Sequence, residues 1–197
     1  MPKPKHILVI RLSAMGDVAM TIPVITAMIR SYPNIKITVV SRAFFKPIFD
    51  NIPNVTFYTA DVKGKHKGIF GLFKLYKELK ALQIDVVADL HNVLRSKILG
   101  CYFKLGGYKI YKIDKGRADK KALTATQNKI FKPLTTTIQR YVEGFEKLGF
   151  SEIQPATLPR PDVIDEVHQC IGKTNHQPIG IAPFEAHQRK QYPLDLI

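Results

Sequence analysis

His6-Ile-Leu-Val-Ile-Arg11-Leu-Ser13-Ala-Met-Gly16-Asp17-Val-Ala-Met-Thr-Ile-Pro23 is the stretch on which the fold turns. Its apolar run at 7–12 is short and rich in branched side chains, which predicts a buried strand. A turn of small residues follows, carrying Gly16 and Asp17. Apolar periodicity then predicts a helix over 18–31. In open α/β sheets, ligands bind outside the carboxyl ends of the strands. The first strand therefore delivers a carboxylate to the edge where such a fold does its chemistry.

The rest of the chain repeats the alternation. Strands are predicted at 35–40, 55–58, 85–89 and 108–112. Helices are predicted at 44–50, 69–83, 93–104 and 137–148, the last closed by Gly149 as a C-cap. This order predicts a parallel sheet with helices on both faces, a Rossmann-like α/β fold. Three prolines within 151–162 read as a linker. After a short helix at 162–171, the run Pro178-Ile-Gly-Ile-Ala-Pro183 reads as a new strand. The expected domains are 1–160, a linker and helix at 161–177, and the start of a second α/β unit at 178–197 that is cut short.

The 197 residues carry a net charge of +14, placed unevenly. Residues 1–130 hold 23 Lys and Arg against 8 Asp and Glu, and the remaining 67 hold 7 against 8. Lys63-Gly-Lys65-His-Lys67 is one knot of bases, and 95–121 holds nine more. Such a field attracts anions, whether nucleic acid, anionic membrane or an acidic substrate. The bases are not interleaved with aromatic side chains as a nucleic-acid stacking platform requires. No apolar run reaches the roughly 18 residues of a membrane span. Cys101 and Cys170 lie far apart, without the spacing of a zinc site or a disulfide framework. The expectation is a reducing, cytoplasmic setting with no metal.

Several residues are candidates for chemistry. Asp17 is either a carboxylate satisfying a helix N-terminus or a general base at the sheet edge. The single Gly16 falls short of a G-x-G-x-x-G fingerprint, so no dinucleotide cofactor is expected. Asp89-Leu-His91-Asn-Val-Leu-Arg95-Ser96 follows a buried strand and brings imidazole, amide and guanidinium to the same edge. Asn92 there doubles as a plausible helix cap, and Arg95 suits a bidentate grip on carboxylate or phosphate. Arg117, beside Lys115, and Arg140 extend the basic face, although each alone reads as a solvated surface charge. In 69–82 the apolar positions 69, 72, 73, 76, 79 and 82 form one stripe, with Lys74, Lys77 and Lys80 opposite. That pattern fits a helix crossing over the sheet. A contact with a membrane surface through Phe70 and the lysines is the sharper alternative.

These segments together resemble the heptosyltransferases of bacterial lipopolysaccharide assembly, glycosyltransferase family 9. The matching motifs are Arg11-Leu-Ser13-Ala-Met-Gly16-Asp17-Val with Pro23, Asp89 through Arg95-Ser96, Arg140 with Leu148-Gly149, Gly180-Ile-Ala-Pro183-Phe-Glu-Ala186, and Lys190-Gln-Tyr192-Pro193. The chain departs from the family pattern at Phe184, where the family has glycine, and at Tyr192, where it has tryptophan. The resemblance implies the N-terminal half of a GT-B architecture, in which two Rossmann-like domains face a cleft. It implies a nucleotide-sugar donor such as ADP-heptose, no cofactor and no metal, and direct displacement with inversion. Asp17 would deprotonate the acceptor hydroxyl. Ser13, Gly16, His91, Arg95, Ser96, Arg117 and Arg140 would bind an anionic lipopolysaccharide-core acceptor. Pro183 and Lys190 would serve the donor, with Lys190 stabilising the departing diphosphate. Peripheral contact with the inner membrane surface would follow from the acceptor's lipid anchor. The 197 residues alone would be inactive, with the donor side incomplete. The alternatives from other classes are a basic nucleic-acid-binding domain and a non-catalytic α/β interaction domain.

Overall fold

The computed structural model describes residues 4–155. They lie in the first of two units into which the chain divides, Met1–Leu158 and Pro159–Ile197. The expected linker helix, the strand at 178–183, Pro183 and Lys190 all fall outside the described residues.

Five strands form one sheet: β1 (His6–Ile10), β2 (Lys36–Ser41), β3 (Val55–Thr59), β4 (Val86–Asp89) and β5 (Lys109–Lys112). Their order is β3-β2-β1-β4-β5, and every pairing is parallel. β1 is buried along its whole length, as a central strand covered on both faces must be. Ile7 and Val9 enter one core and Leu8 and Ile10 the other, because successive side chains alternate across a strand. The helices are α1 (Met15–Ala19), α2 (Ile22–Ser31), α3 (Gly68–Lys80), α4 (Leu94–Leu105), α5 (Arg117–Leu123) and α6 (Thr137–Lys147). A 3-10 helix spans Ala43–Ile48. The first core takes side chains from α2 and α6, and the second from α3 and α4. This is the Rossmann-like sheet with helices on both faces.

The strand order fixes where a ligand sits. The chain winds from β1 outward to β3, then returns to place β4 on the other side of β1. The carboxyl ends of β1 and β4 therefore diverge at a topological switch point, where open α/β sheets form their crevice.

The single helix expected over 18–31 is in fact two. Pro23 stands in the first turn of α2. It has no N–H to give, and its ring would clash with the carbonyl four residues earlier. The chain breaks at Met20 and Thr21, and the Thr21 hydroxyl donates to the Val18 carbonyl at 2.7 Å. The end of α6 matches expectation. Gly149 takes φ +103°, the Phe150 amide donates to the Phe145 carbonyl, and the Gly149 amide donates to Glu146. Those two bonds make a Schellman cap.

A candidate active site at the carboxyl edge of the sheet

Arg11 follows β1 and is buried, with 7 % of its side chain exposed. A guanidinium so placed needs partners. It donates to the Leu90 carbonyl just past β4 at 2.6 Å and pairs with Asp17 Oδ2. One side chain thus ties together the ends of the two strands that flank the switch point. The other oxygen of Asp17 has no hydrogen-bond partner among the described residues, and the side chain is 39 % exposed. Asp17 lies in the first turn of α1, whose N-cap is Ala14. It does not cap the helix, so the capping reading is corrected: the carboxylate is held by Arg11 instead. The buried Tyr141 of α6 donates to the Asp17 carbonyl at 3.1 Å, which fixes the turn from the other side. Burial raises this phenol to about 12, so it remains a donor.

Asp17 opens onto a cleft of about 360 Å³ lined by Arg11, Lys115, Lys120 and Arg140, together with Thr135 and Thr136. Burial, with repulsion from Arg11 and Arg117, lowers the Lys115 pKa. Gly16 is exposed, and a Cβ built there would meet nothing within 4 Å. Bare backbone is therefore open beside the carboxylate. Among the described residues, no three His, Cys, Asp or Glu side chains gather into a metal-binding group.

His91 and Ser13 do not line that cleft; they meet beside it, past the ends of β4 and β1, with His91 Nε2 3.2 Å from Ser13 Oγ. His91 is buried, and its Nδ1 has no hydrogen-bond partner among the described residues. Burial, followed by the positive charges of Arg11 and Lys115, drives its pKa down to about 4. The ring is neutral at pH 7. Asp89 beneath it is fully buried and accepts the His91 and Asn92 amides at 3.0 and 2.8 Å. Burial raises the Asp89 pKa, opposed by those amides.

The His91 shift predicts a pH dependence. The unfolded imidazole gains its proton near pH 6.5, and the folded one does so only near 4. Between those values the unfolded state binds more protons, so stability falls as the pH falls through that window. The loss is about 3 kcal/mol from His91 alone. Burial also lowers the His6 pKa, so His6 adds to the same slope. Urea unfolding between pH 7 and 4 should show a shallower slope in His91→Gln and, separately, in His6→Gln. A slope unchanged in His91→Gln would show that the ring is not held neutral by the fold.

The other expected site residues are distributed unevenly. Ser96 is fully buried and exchanges hydrogen bonds with Val93, the N-cap residue of α4. Its hydroxyl closes the first turn of that helix. Asn92 is not the cap; it takes φ +45° and donates from its side chain to the Ile113 carbonyl at 2.7 Å. Arg95 and Arg117 are exposed at the starts of α4 and α5, have no ion pair among the described residues, and do not line the cleft. Arg140 is not a solvated charge. It is buried, donates to the Thr135 and Asp114 carbonyls at 3.2 and 3.3 Å, and lies 3.6 Å from Asp119. A Cβ at Gly116, where φ is +57°, would sit 2.1 Å from Arg140 Nη2. Arg140 therefore clamps the loop before α5 onto α6, and Gly116 leaves it room.

Sequence reasoning missed Arg11 as the partner of Asp17, and it missed Tyr141, Lys120 and the helix α5. Arg11 carries a readable signal: a lone charge directly after an unbroken buried strand must find a partner nearby.

No family model matches the chain. A curated relative, the lipopolysaccharide core heptosyltransferase OpsX of Haemophilus influenzae, is 31 % identical over 107 residues, which cover 52 % of this chain and 30 % of that protein. Among solved structures, a glycosyl transferase family 9 protein from Veillonella parvula superposes with a TM-score of 0.68 at 21 % identity, covering 97 % of this chain and 57 % of the other. The E. coli heptosyltransferase WaaC with ADP gives 0.55 at 20 % identity, covering 77 % and 49 %. The chain thus spans well under two thirds of each of these relatives. In sequence the chain is similar over about half its length to a lipopolysaccharide core heptosyltransferase, and its described residues share the Rossmann-like α/β fold of these glycosyltransferase structures.

Proposed function

We propose that this chain is the acceptor-binding half of an inverting glycosyltransferase that moves heptose from ADP-heptose, or a similar nucleotide-sugar, to an anionic lipopolysaccharide core. The observation that carries the reading is Asp17. One of its oxygens is held by Arg11, and the side chain opens onto a cleft lined with lysine and arginine. A general base needs a fixed oxygen within reach of the proton it removes. The cationic walls suit an acceptor bearing carboxylates or phosphates.

In the proposed reaction the acceptor hydroxyl attacks the anomeric carbon, whose bond to the diphosphate breaks on the opposite face. Asp17 takes the hydroxyl proton as the new C–O bond forms. Lys190 offsets the charge of the departing diphosphate, so neither a metal nor a cofactor is needed. Lys115 and Lys120 hold the acceptor's anionic groups, with Gly16 backbone, Ser13 and His91 beside the hydroxyl. Arg117 and Arg95 meet more distant anionic groups. Arg140 acts through the loop it clamps, and Ser96 through the first turn of α4. Pro183 and Lys190 belong to the donor side. The enzyme works in the cytoplasm, in peripheral contact with the inner membrane surface.

The test is calorimetric binding of core oligosaccharide to the 197-residue chain. Binding should weaken steeply with salt, as screening of exposed charge requires. It should be lost when the oligosaccharide's phosphates are removed and its carboxylates reduced. Equal affinity for the neutralised oligosaccharide would refute the assignment of this cleft to an anionic acceptor.

A further inference from the structure

Helices α3 and α4 pack side by side against one face of the sheet. The Tyr102 hydroxyl donates to the Ile69 carbonyl at 3.3 Å, and the Tyr102 ring meets Phe73 edge-on at 5.2 Å. α3 buries Leu72, Leu75, Tyr76 and Leu79. Ile69 and Phe73 were expected in that stripe, but they face outward with Phe70. Their exposures are 61 % for Ile69, 39 % for Phe73 and 90 % for Phe70. The lysines are not opposite these residues; at 3.6 residues per turn they share their side, and Lys77 Nζ lies 5.0 Å over the Phe73 ring.

α4 repeats the arrangement. It buries Ser96, Leu99, Gly100 and Phe103. Its outward row is Leu94, Cys101 and Leu105, spaced along one helical face, with Leu94 and Leu105 exposed at 74 and 81 %, while Ile98 packs partly against the core. Lys97 and Lys104 flank that row. The outward face of such a helix is ordinarily polar. The two helices hold one carboxylate between them, Glu78. It pairs with Lys65 at 2.6 Å and accepts from Tyr58 at 2.6 Å, with His66 Nε2 at 3.0 Å. The surface is thus apolar and cationic, and its one carboxylate is already occupied.

We propose that the outward face of α3 and α4 docks on an anionic lipid surface, with Phe70, Phe73, Leu94 and Leu105 entering the interface and the neighbouring lysines meeting the headgroups. This locates the membrane contact of the proposed function, and it rests on that reading for the anionic sign of the surface. Aromatic and leucine side chains gain by leaving water. Lysine stems can lie along the apolar side chains while their ammonium groups reach phosphate. Charge selects lipid over a second copy of the chain. Two such faces together would set lysine against lysine with no spare carboxylate to pair them. Among the described residues, no helix is long and apolar enough to cross a membrane, so contact through these helices is superficial.

A competing contact exists at Lys129-Ile-Phe131-Lys132, where Phe131 is 80 % exposed. The test is co-sedimentation of the 197-residue chain with vesicles of phosphatidylcholine alone and of phosphatidylcholine with an equal part of phosphatidylglycerol. The wild type should bind only the anionic vesicles, and less in high salt. Phe70→Ser and Leu105→Ser should each weaken binding about tenfold, with unchanged melting temperatures because both side chains are exposed. Lys74→Gln, Lys77→Gln and Lys104→Gln should each cost about fivefold, and Phe131→Ser should cost nothing. Failure of the wild type to bind anionic vesicles overturns the membrane contact altogether. Binding that survives the α3 and α4 changes but is lost in Phe131→Ser keeps the membrane contact and overturns this face. A wild-type dimer dissociated by Phe70→Ser assigns the face to a second copy and overturns the proposal.

Discussion

Asn in place of Asp17 is expected to lower sugar transfer by about 10²- to 10⁴-fold, the usual contribution of a positioned general base, while the acceptor still binds. The measurement is kinetic, with the donor side present and ADP-heptose saturating. The amide keeps the size of the carboxylate and can still accept from Arg11, so the turn at Ser13–Asp17 should persist. The substitution removes the ability to carry the hydroxyl proton away. Turnover should fall with little change in acceptor affinity, the mark of an interaction made only in the transition state. If Asn turns over normally, Asp17 is not the base.

Arg11→Gln should show the second large effect. Arg11 reaches the Leu90 carbonyl and Asp17 at once. Gln is too short to hold both, and its loss of charge leaves Asp17 unpaired. A charged hydrogen bond is worth roughly 1.5–3 kcal/mol, so unfolding free energy should drop by about that much in urea titration. Misplacing a reacting group by about 1 Å can cost about 10²-fold in rate. Arg11→Gln should therefore reduce kcat about 10²-fold with little change in acceptor KM. Arg11→Lys keeps the charge without the fork and should recover only part of this. If Arg11 acts through Asp17, the Arg11→Gln, Asp17→Asn double variant should be hardly slower than Asp17→Asn. Multiplying losses would mean that Arg11 acts on its own.

The sheet was legible because each strand is a short apolar run between breakers, and the helices between them force parallel crossovers. The Gly149 cap was legible because its whole signal is local. The break before α2 is marked in the sequence by Pro23, but apolar periodicity continues across it and masks it. α5 was hidden for the opposite reason: Arg117–Leu123 buries no residue, so it shows no periodic stripe. For Arg11 the sequence says that a partner must lie near but not which one, and for Arg140 it says neither. Their partners Asp114, Asp119 and Leu90 are set by tertiary contact rather than by helical or strand spacing. The α3 stripe is buried at Leu72, Tyr76 and Leu79 as its spacing predicts, whereas Ile69 and Phe73 lie at its margin, touched by Tyr102 of α4 but left exposed.

The decisive observation is a structure of the protein with its acceptor oligosaccharide bound. The reactive hydroxyl should lie about 3 Å from the Asp17 oxygen that Arg11 does not hold, within hydrogen-bond reach, with the acceptor's anionic groups on Lys115 and Lys120. An acceptor seated away from the crevice between β1 and β4, or a hydroxyl turned from Asp17, would contradict its role as the base.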